Sequence, residues 1–444
     1  MKLNLLELLG VRRAEGVHPP GLKIAADRAI ERAPLPDRVV LPMSQHIGAP
    51  AKPVVKAGDE VLVGQLIAEG CGGCSAAIHA TISGVVKPLT TIISPTSGAP
   101  VPAIIIEGDG EDRWVDLVPA DSAKLSSEEI VARISDAGIV GLGGAAFPTH
   151  LKVNRPPDSP VHTVLINGAE CEPYITSDDR LMIESPDRIL AGIRILMQLL
   201  SVKKTIIGIE DNKPNAIAAM NKAIGQAKLS TSIEVAALPA KYPMGAEKTM
   251  IRTVLGVEIP EGGFPTDKGI VVQNVATLAA IADAVIDGRP LVERVVTVTG
   301  KVGRPSNLVV RFGASAGWLL DHCGGMSDDT DAILFGGPMM GIAQPSVDSP
   351  LVKSTNCVLA KTADIRTERG CVRCGRCIQA CPMGLMPLMF VNRVKKGMIS
   401  DLSNYHVFNC VECGACSYDC PANIPIVSYI KVGKAKLRQL GGRS

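Results

Sequence analysis

Residues 141–150 read GLGGAAFPTH. Three glycines lie against a phenylalanine and a proline, and glycine removes the Cβ that keeps a backbone away from a ligand. Such a loop either turns sharply or lies against something large and flat. It matches neither common nucleotide signature: a P-loop ends in Gly-Lys-Ser/Thr, and the dinucleotide fingerprint needs a third glycine three positions after the second. Taken alone, the loop is also compatible with a tight turn after a helix. Its surroundings decide what it is for.

A helix precedes it. Ser126 and Glu129 form a capping box, Ile130 and Ile134 share a face, and Gly138 is a stop signal. After the loop, VHTVLING reads as a buried strand, and Ser185-Pro186 opens a helix with Ile189, Ile193, Leu196 and Leu200 on one side. The strand KKTIIGIE, a helix from Lys213 and the strand SIEVAAL follow. This alternation predicts an α/β layer with a mostly parallel sheet. Ligands of such sheets bind beyond the carboxyl ends of the strands. NGAECEP (167–173) and KYPMGAEKT (241–249) each follow a strand, so both are placed to line a pocket. Residues 39–106, rich in Val, Ile, Gly and Pro, read as a small all-β module, and a second one begins at Glu293.

The chain of 444 residues exceeds one core and suggests about three domains. Lys and Arg (46) nearly balance Asp and Glu (44) and aromatics are 3%, which gives nucleic-acid binding no support. No apolar run approaches the roughly 18 residues of a membrane span. The amino terminus, MKLNLLELLGVRR, lacks the apolar core and cleavage site of an export signal. The expectation is a cytoplasmic globular protein whose 13 cysteines are not disulfides.

Eight of those cysteines form two groups. Cys371-Val-Arg-Cys374-Gly-Arg-Cys377-Ile-Gln-Ala-Cys381-Pro382 recurs as Cys410-Val-Glu-Cys413-Gly-Ala-Cys416-Ser-Tyr-Asp-Cys420-Pro421. Two copies of C-x2-C-x2-C-x3-C-P are the bacterial ferredoxin pattern. Three close thiolates wrap three corners of a cubane, and the fourth cysteine ligates the neighbouring cluster. Crossed ligation follows, with Cys371, Cys374, Cys377 and Cys420 on one [4Fe–4S] cluster and Cys410, Cys413, Cys416 and Cys381 on the other. A pair of zinc sites is the alternative, but zinc ribbons need neither the third and fourth cysteines at this spacing nor the prolines. The segment between the groups is expected to carry few large apolar residues and to depend on its metal for folding. Cys71-Gly-Gly-Cys74 reads as a redox pair, as half a metal site, or as small residues in a glycine-rich hairpin turn. The terminal KVGKAKLRQLGGRS is basic; it faces anionic lipid or a partner, or it sets lysines against the dipole of a last helical turn.

GLGGAAFPTHLK, followed in order by NGAECEP, KYPMGAEKT, GGFPTDKG and QNVATL, resembles the flavin- and NADH-binding subunit of respiratory complex I. With GVHPPGLK and PMSQHIGAPAKPVVKAGDEVLVGQLIAE ahead of it, nearly the whole chain resembles the RnfC family of the Rnf ion-translocating ferredoxin:NAD+ oxidoreductase. The resemblance implies a multidomain α/β and α+β fold. Its parts are a barrel-sandwich hybrid (1–115), a Rossmann-like FMN/NADH domain (116–288), an SLBB β-grasp module (289–355) and a helical two-cluster ferredoxin domain (356–444).

It also implies roles for single residues. Gly141, Gly143 and Gly144 would lie along FMN, with Gly245 in the second loop, and Lys152 would reach the flavin phosphate or ring. Asn167, Glu170, Asn274 and Thr277 would bond flavin edges. Glu172 and Glu247 would meet the hydroxyls and carboxamide of NAD(H), and Phe147 and Phe264 would flank its nicotinamide or adenine unless they are plain core aromatics. No residue takes a catalytic role by itself. Ala169 and Ala246 stand where the complex I pattern has acids, so this pocket has fewer carboxylates. The implied function is to pass electrons between NAD(H), FMN and two [4Fe–4S] clusters, peripherally at the cytoplasmic face, docked on integral membrane and iron–sulfur partner subunits. A soluble RnfC-like flavin/iron–sulfur reductase, for example of cobalamin, and a cluster-only wiring adaptor are the rival readings.

Overall fold

The computed structural model describes residues 16–156 and 159–441. The leader segment MKLNLLELLGVRR and the last three residues of the basic tail lie outside the described residues.

Four parallel strands form the central sheet, in the spatial order Ile233–Leu238, Thr205–Glu210, Thr163–Gly168, Ile270–Asn274. The chain runs outward from Thr163–Gly168 and then returns to its other side with Ile270–Asn274. Strand order therefore reverses between those two, and the crevice beyond their carboxyl ends is a topological switch point. Register sets Asn167 opposite Asn274 at its mouth. Alternate side chains bury on opposite faces. Val164, Ile166, Ile207 and Val271 join the core made with helices Ser127–Asp136, Pro186–Leu199, Pro214–Gln226 and Val275–Asp287. Leu165, Leu238 and Val272 meet Met250 and Ile251 of helix Glu247–Leu255.

The helix ahead of the glycine loop forms as its sequence dictates. Ser126 accepts from the Glu129 N–H at 3.2 Å, Glu129 accepts from the Ser126 N–H at 2.7 Å, and Gly138 at φ +65° ends the last turn. Helices Pro186–Leu199 and Val275–Asp287 cross at Gly192, where a Cβ would stand 2.1 Å from the Leu278 carbonyl oxygen.

Two short antiparallel sheets make the all-β module of residues 38–108. Further on, Glu293–Gly300 and Ser306–Arg311 pair antiparallel ahead of helix Ala316–His322. Their six-stranded sheet recruits Ile30–Arg32 at one edge and Cys357–Lys361 beside Glu293–Gly300. The β-grasp sheet thus runs past residue 355, and Cys357 lies in it rather than with the cysteine groups. The segment carrying those groups has an apolar core of its own, with Phe390, Leu402, Val407 and Ile430 buried between short helices. The expectation of few large apolar residues is corrected there. Among the described residues no helix is long and apolar enough to cross a membrane.

Candidate cofactor cavity and cysteine centres

A cavity of about 650 Å³ opens at the switch point, and all four parts of the chain wall it. Gln45 and His46 come from the all-β module, Gly336–Gly341 from the β-grasp module, and Val411 and Cys413 from the cysteine-rich end. The α/β layer supplies the floor.

The glycine loop closes on itself: the Gly141 N–H donates to the Phe147 carbonyl at 2.8 Å and the Ala146 N–H to the Gly141 carbonyl at 3.1 Å. Buried Thr277 pins it, its Oγ1 accepting from the Leu142 N–H at 2.9 Å. Gly141 and Thr277 thus shape the loop from behind, while Gly143 and Gly144 line the cavity. A Cβ on Gly143 would stand 3.2 Å from that of Asn274, and Gly144 has φ +126°. The N–H groups of Gly143, Gly144 and Ala145 have no acceptor among the described residues. Consecutive free N–H groups in a concavity bind anions such as phosphate.

Asn167 joins the two pocket loops, donating to the Gly245 carbonyl at 2.8 Å and accepting from the Ala169 N–H at 3.1 Å. Asn274 caps helix Val275–Asp287 and donates to Asp178 Oδ2 at 2.6 Å. The expected carboxylates all line the cavity, yet each already holds a protein partner. Glu170 caps helix Ser177–Glu184 through the N–H groups of Asp178 (2.7 Å) and Asp179 (3.2 Å). Glu172 accepts from Met339 and Met340 N–H at 3.1 and 2.7 Å, fixing the β-grasp loop. Glu247 pairs with Lys152 at 3.0 Å, and Lys152 also donates to the Val272 carbonyl.

The two aromatics are not brought to the wall. Phe147 is partly buried behind the glycine loop, and Phe264 is 69% exposed in a separate turn, so it is not a core aromatic either.

Lys23 escaped the sequence reading as a member of the site. It reaches from the GVHPPGLK segment to donate to the carbonyls of Glu170 (2.9 Å), Glu172 (2.9 Å) and Ile175 (2.5 Å). Val17 bridges to Tyr242 in the other loop, so one segment straps both sides of the cavity. Tyr242, on the wall, donates its hydroxyl to the Cys413 carbonyl at 2.6 Å. Nothing local in the sequence announces these long-range contacts.

Enclosure by protein pushes the Glu172 carboxyl from its ordinary 4.5 up to about 7, against the two N–H groups that favour its ionised form. A raised folded-state value makes the stabilising contribution complete below pH 4.5 and lost as pH rises through 7. The melting temperature of wild type relative to Glu172→Gln should therefore fall across that window. Parallel pH profiles for the two proteins would contradict it.

The cysteines separate as the crossed pattern requires. Cys371, Cys374, Cys377 and Cys420 line one space of about 470 Å³, and Cys381, Cys410, Cys413 and Cys416 line another. The backbone is duplicated with them: Arg373 and Glu412 have φ +54° and +55°, and each directs its N–H at the sulfur two residues earlier, at 3.4 Å. Such N–H groups favour charged sulfur and tune a cluster's potential. Among the described residues no three His, Cys, Asp or Glu side chains converge on a single ion. Each quartet instead surrounds a volume, as a four-iron cube requires. Cys371 and Cys374 are exposed, whereas Cys381, Cys413 and Cys416 are buried and Cys413 stands on the cavity wall.

Two smaller expectations are also resolved. Lys434 of the basic tail is buried, donating to the Cys410 carbonyl at 2.6 Å and to Glu412 at 2.8 Å, while Lys436 and Arg438 occupy the last helical turn. Cys71 and Cys74 each donate to a separate carbonyl, of Pro50 (2.8 Å) and Ile47 (3.3 Å), around Gly72 at φ +74°. That is the geometry of a glycine-rich turn.

The chain matches four family models in order: the RnfC barrel sandwich hybrid domain (residues 11–111), the Nuo51 FMN-binding domain (134–283), the SLBB domain (295–343) and the 4Fe-4S dicluster domain (370–424). It is 47% identical to the RnfC-type component of the proton-translocating ferredoxin:NAD(+) oxidoreductase complex of Clostridium ljungdahlii, over 96% of this chain and 94% of that one. The counterpart in the Na(+)-translocating complex of Acetobacterium woodii is 41% identical, over 95% and 96%. Among solved structures, an NAD+-reducing [NiFe]-hydrogenase matches at TM-score 0.50 and 18% identity, over 73% of this chain and 63% of that one, a likeness of fold alone.

Proposed function

This chain belongs to the RnfC family, and from that membership we propose that it passes electrons between NAD(H) and the partner subunits of a membrane-bound, ion-translocating ferredoxin:NAD+ oxidoreductase. The observation that carries the reading is the cavity whose wall holds both the glycine loop and Cys413.

Bound FMN supplies the exchange between two-electron hydride chemistry and one-electron transfer, and [4Fe–4S] clusters carry the single electrons. The residues present fit both groups. The free N–H groups of Gly143, Gly144 and Ala145 would hold a phosphate, and Asn167 and Asn274 fix the mouth of the crevice. Glu172 and Glu247 lie where a dinucleotide's hydroxyls would reach them, provided their present partners share them. Walls drawn from four parts of the chain exclude water. Cys381, Cys410, Cys413 and Cys416 would hold the cluster nearer the cavity, and Cys371, Cys374, Cys377 and Cys420 the one nearer solvent. The exposed quartet is then the port toward a partner. With no membrane-crossing helix among the described residues, the chain is proposed to sit peripherally on integral partners at the cytoplasmic face.

Anaerobic preparations of the native chain should contain roughly eight iron atoms and one FMN, and NADH should bleach both chromophores. Zinc in place of iron, or clusters without flavin, would favour the wiring-adaptor reading instead.

A further inference from the structure

Asp178 played no part in the sequence reading, yet it has the least satisfied polar atom on the cavity wall. It lies in the first turn of helix Ser177–Glu184 and is only 6% exposed. Its backbone N–H donates to Glu170 Oε1 at 2.7 Å and its Oδ2 accepts from Asn274 Nδ2 at 2.6 Å, so the side chain is held from two directions. Oδ1 is buried and has no hydrogen-bond partner among the described residues. Buried carboxylate oxygens are rarely left so, because each forgoes the water it would otherwise bind. Since the residue lines the cavity, the missing donor is one that a bound molecule would bring.

We propose that Asp178 is a binding residue of this cavity, its Oδ1 accepting a hydrogen bond from a ribityl hydroxyl of the flavin. The proposal rests on the flavin reading above. The choice of the polyol over the other parts of FMN follows from position. Gly143 stands against Asn274, and Asn274 carries Asp178, so the carboxylate is one side chain away from the loop of free N–H groups. That loop is the anion-binding end, where a carboxylate in direct contact with phosphate would be repelled. The ring belongs toward Tyr242 and Cys413, because electrons must leave it for the buried quartet. Between phosphate and ring lies an uncharged chain of hydroxyls, which supplies donors at the right place. A hydrogen bond to a charged acceptor accounts for about a tenfold or larger change in affinity.

The test is binding, not turnover. The full chain, stripped of flavin, is titrated with FMN, riboflavin and lumiflavin, the last having the ring but no ribityl chain. Asp178→Ala should weaken FMN and riboflavin by about tenfold or more and leave lumiflavin unchanged. Asp178→Asn keeps an oxygen for Asn274 and turns an amide toward the cavity, so it should weaken the same two ligands to a smaller degree; it also guards against an alanine variant that fails to fold. Equal weakening of all three flavins would place the contact on the ring and overturn the proposal. So would tighter FMN binding with riboflavin unchanged, which would place the carboxylate against the phosphate. Wild-type affinity in Asp178→Asn beside a weakened Asp178→Ala would reduce the residue to a support for Asn274, also overturning it. If the wild-type chain binds none of the three, the flavin reading itself fails, an outcome separate from all of these.

Discussion

Replacing Cys410 and Cys413 together by serine is expected to halve the iron content and to cut electron delivery to the native partner by at least about 100-fold, while NADH oxidation by ferricyanide persists. The two cysteines belong to the buried quartet, and Cys413 is the one that stands on the cavity wall. If that quartet lies between the cavity and the exposed one, its loss breaks the only short path between them. Ferricyanide takes electrons at the cavity and does not need the path. The Tyr242 hydroxyl bonds the carbonyl of residue 413 and not its side chain, so the wall itself is retained. The complementary variant, Cys374→Ser with Cys420→Ser, should also lose delivery, but NADH should still reduce the remaining cluster. Delivery at the wild-type rate in the first variant would show that electrons bypass the buried quartet.

The second large effect concerns Lys23. Lys23→Met keeps the length of the side chain and removes the ammonium that three carbonyls accept from. Orphaned buried acceptors cost about 1–3 kcal/mol each, so a loss of roughly 3 kcal/mol or more is expected where the strap meets the NGAECEP loop. That loop includes Glu170 at φ +48° and Tyr174 at φ +71°, conformations that hold only while their surroundings impose them. Melting temperature and flavin retention should therefore fall together, and Lys23→Arg should recover part of both. A Lys23→Met chain that keeps its flavin through gel filtration as wild type does would show that the strap does not position the site.

What the sequence made legible was local. The capping box at Ser126, the stop at Gly138 and the periodic helix after Pro186 are set by neighbours within a turn or two, and the structure has them where they were expected. The cysteine quartets were legible because ligand spacing is itself a local property. Strand Ile270–Asn274 was not read as a strand: it is short and buried on both faces, so it has neither alternation nor length. Its absence from the reading hid the switch point. The glycine and asparagine positions fell on the cavity because backbone shape fixes them. The carboxylates fell there too, but their oxygens serve helix Ser177–Glu184, loop Gly336–Gly341 and Lys152, demands that only the folded chain creates. Phe264 was placed by motif order alone, and its side chain stays in solvent. Lys23, Asp178 and Tyr242 act across sequence separations that no local pattern records.

The central claim is that one cavity couples NADH to both cysteine centres through a flavin. The most direct measurement is the electron paramagnetic resonance of the anaerobic full-length chain, frozen after mixing with NADH, with FMN bound and again after FMN has been removed. The account predicts reduced-cluster signals in the first sample, none in the second, and their return when FMN is added back. Reduced-cluster signals of equal strength in the flavin-depleted chain would contradict it.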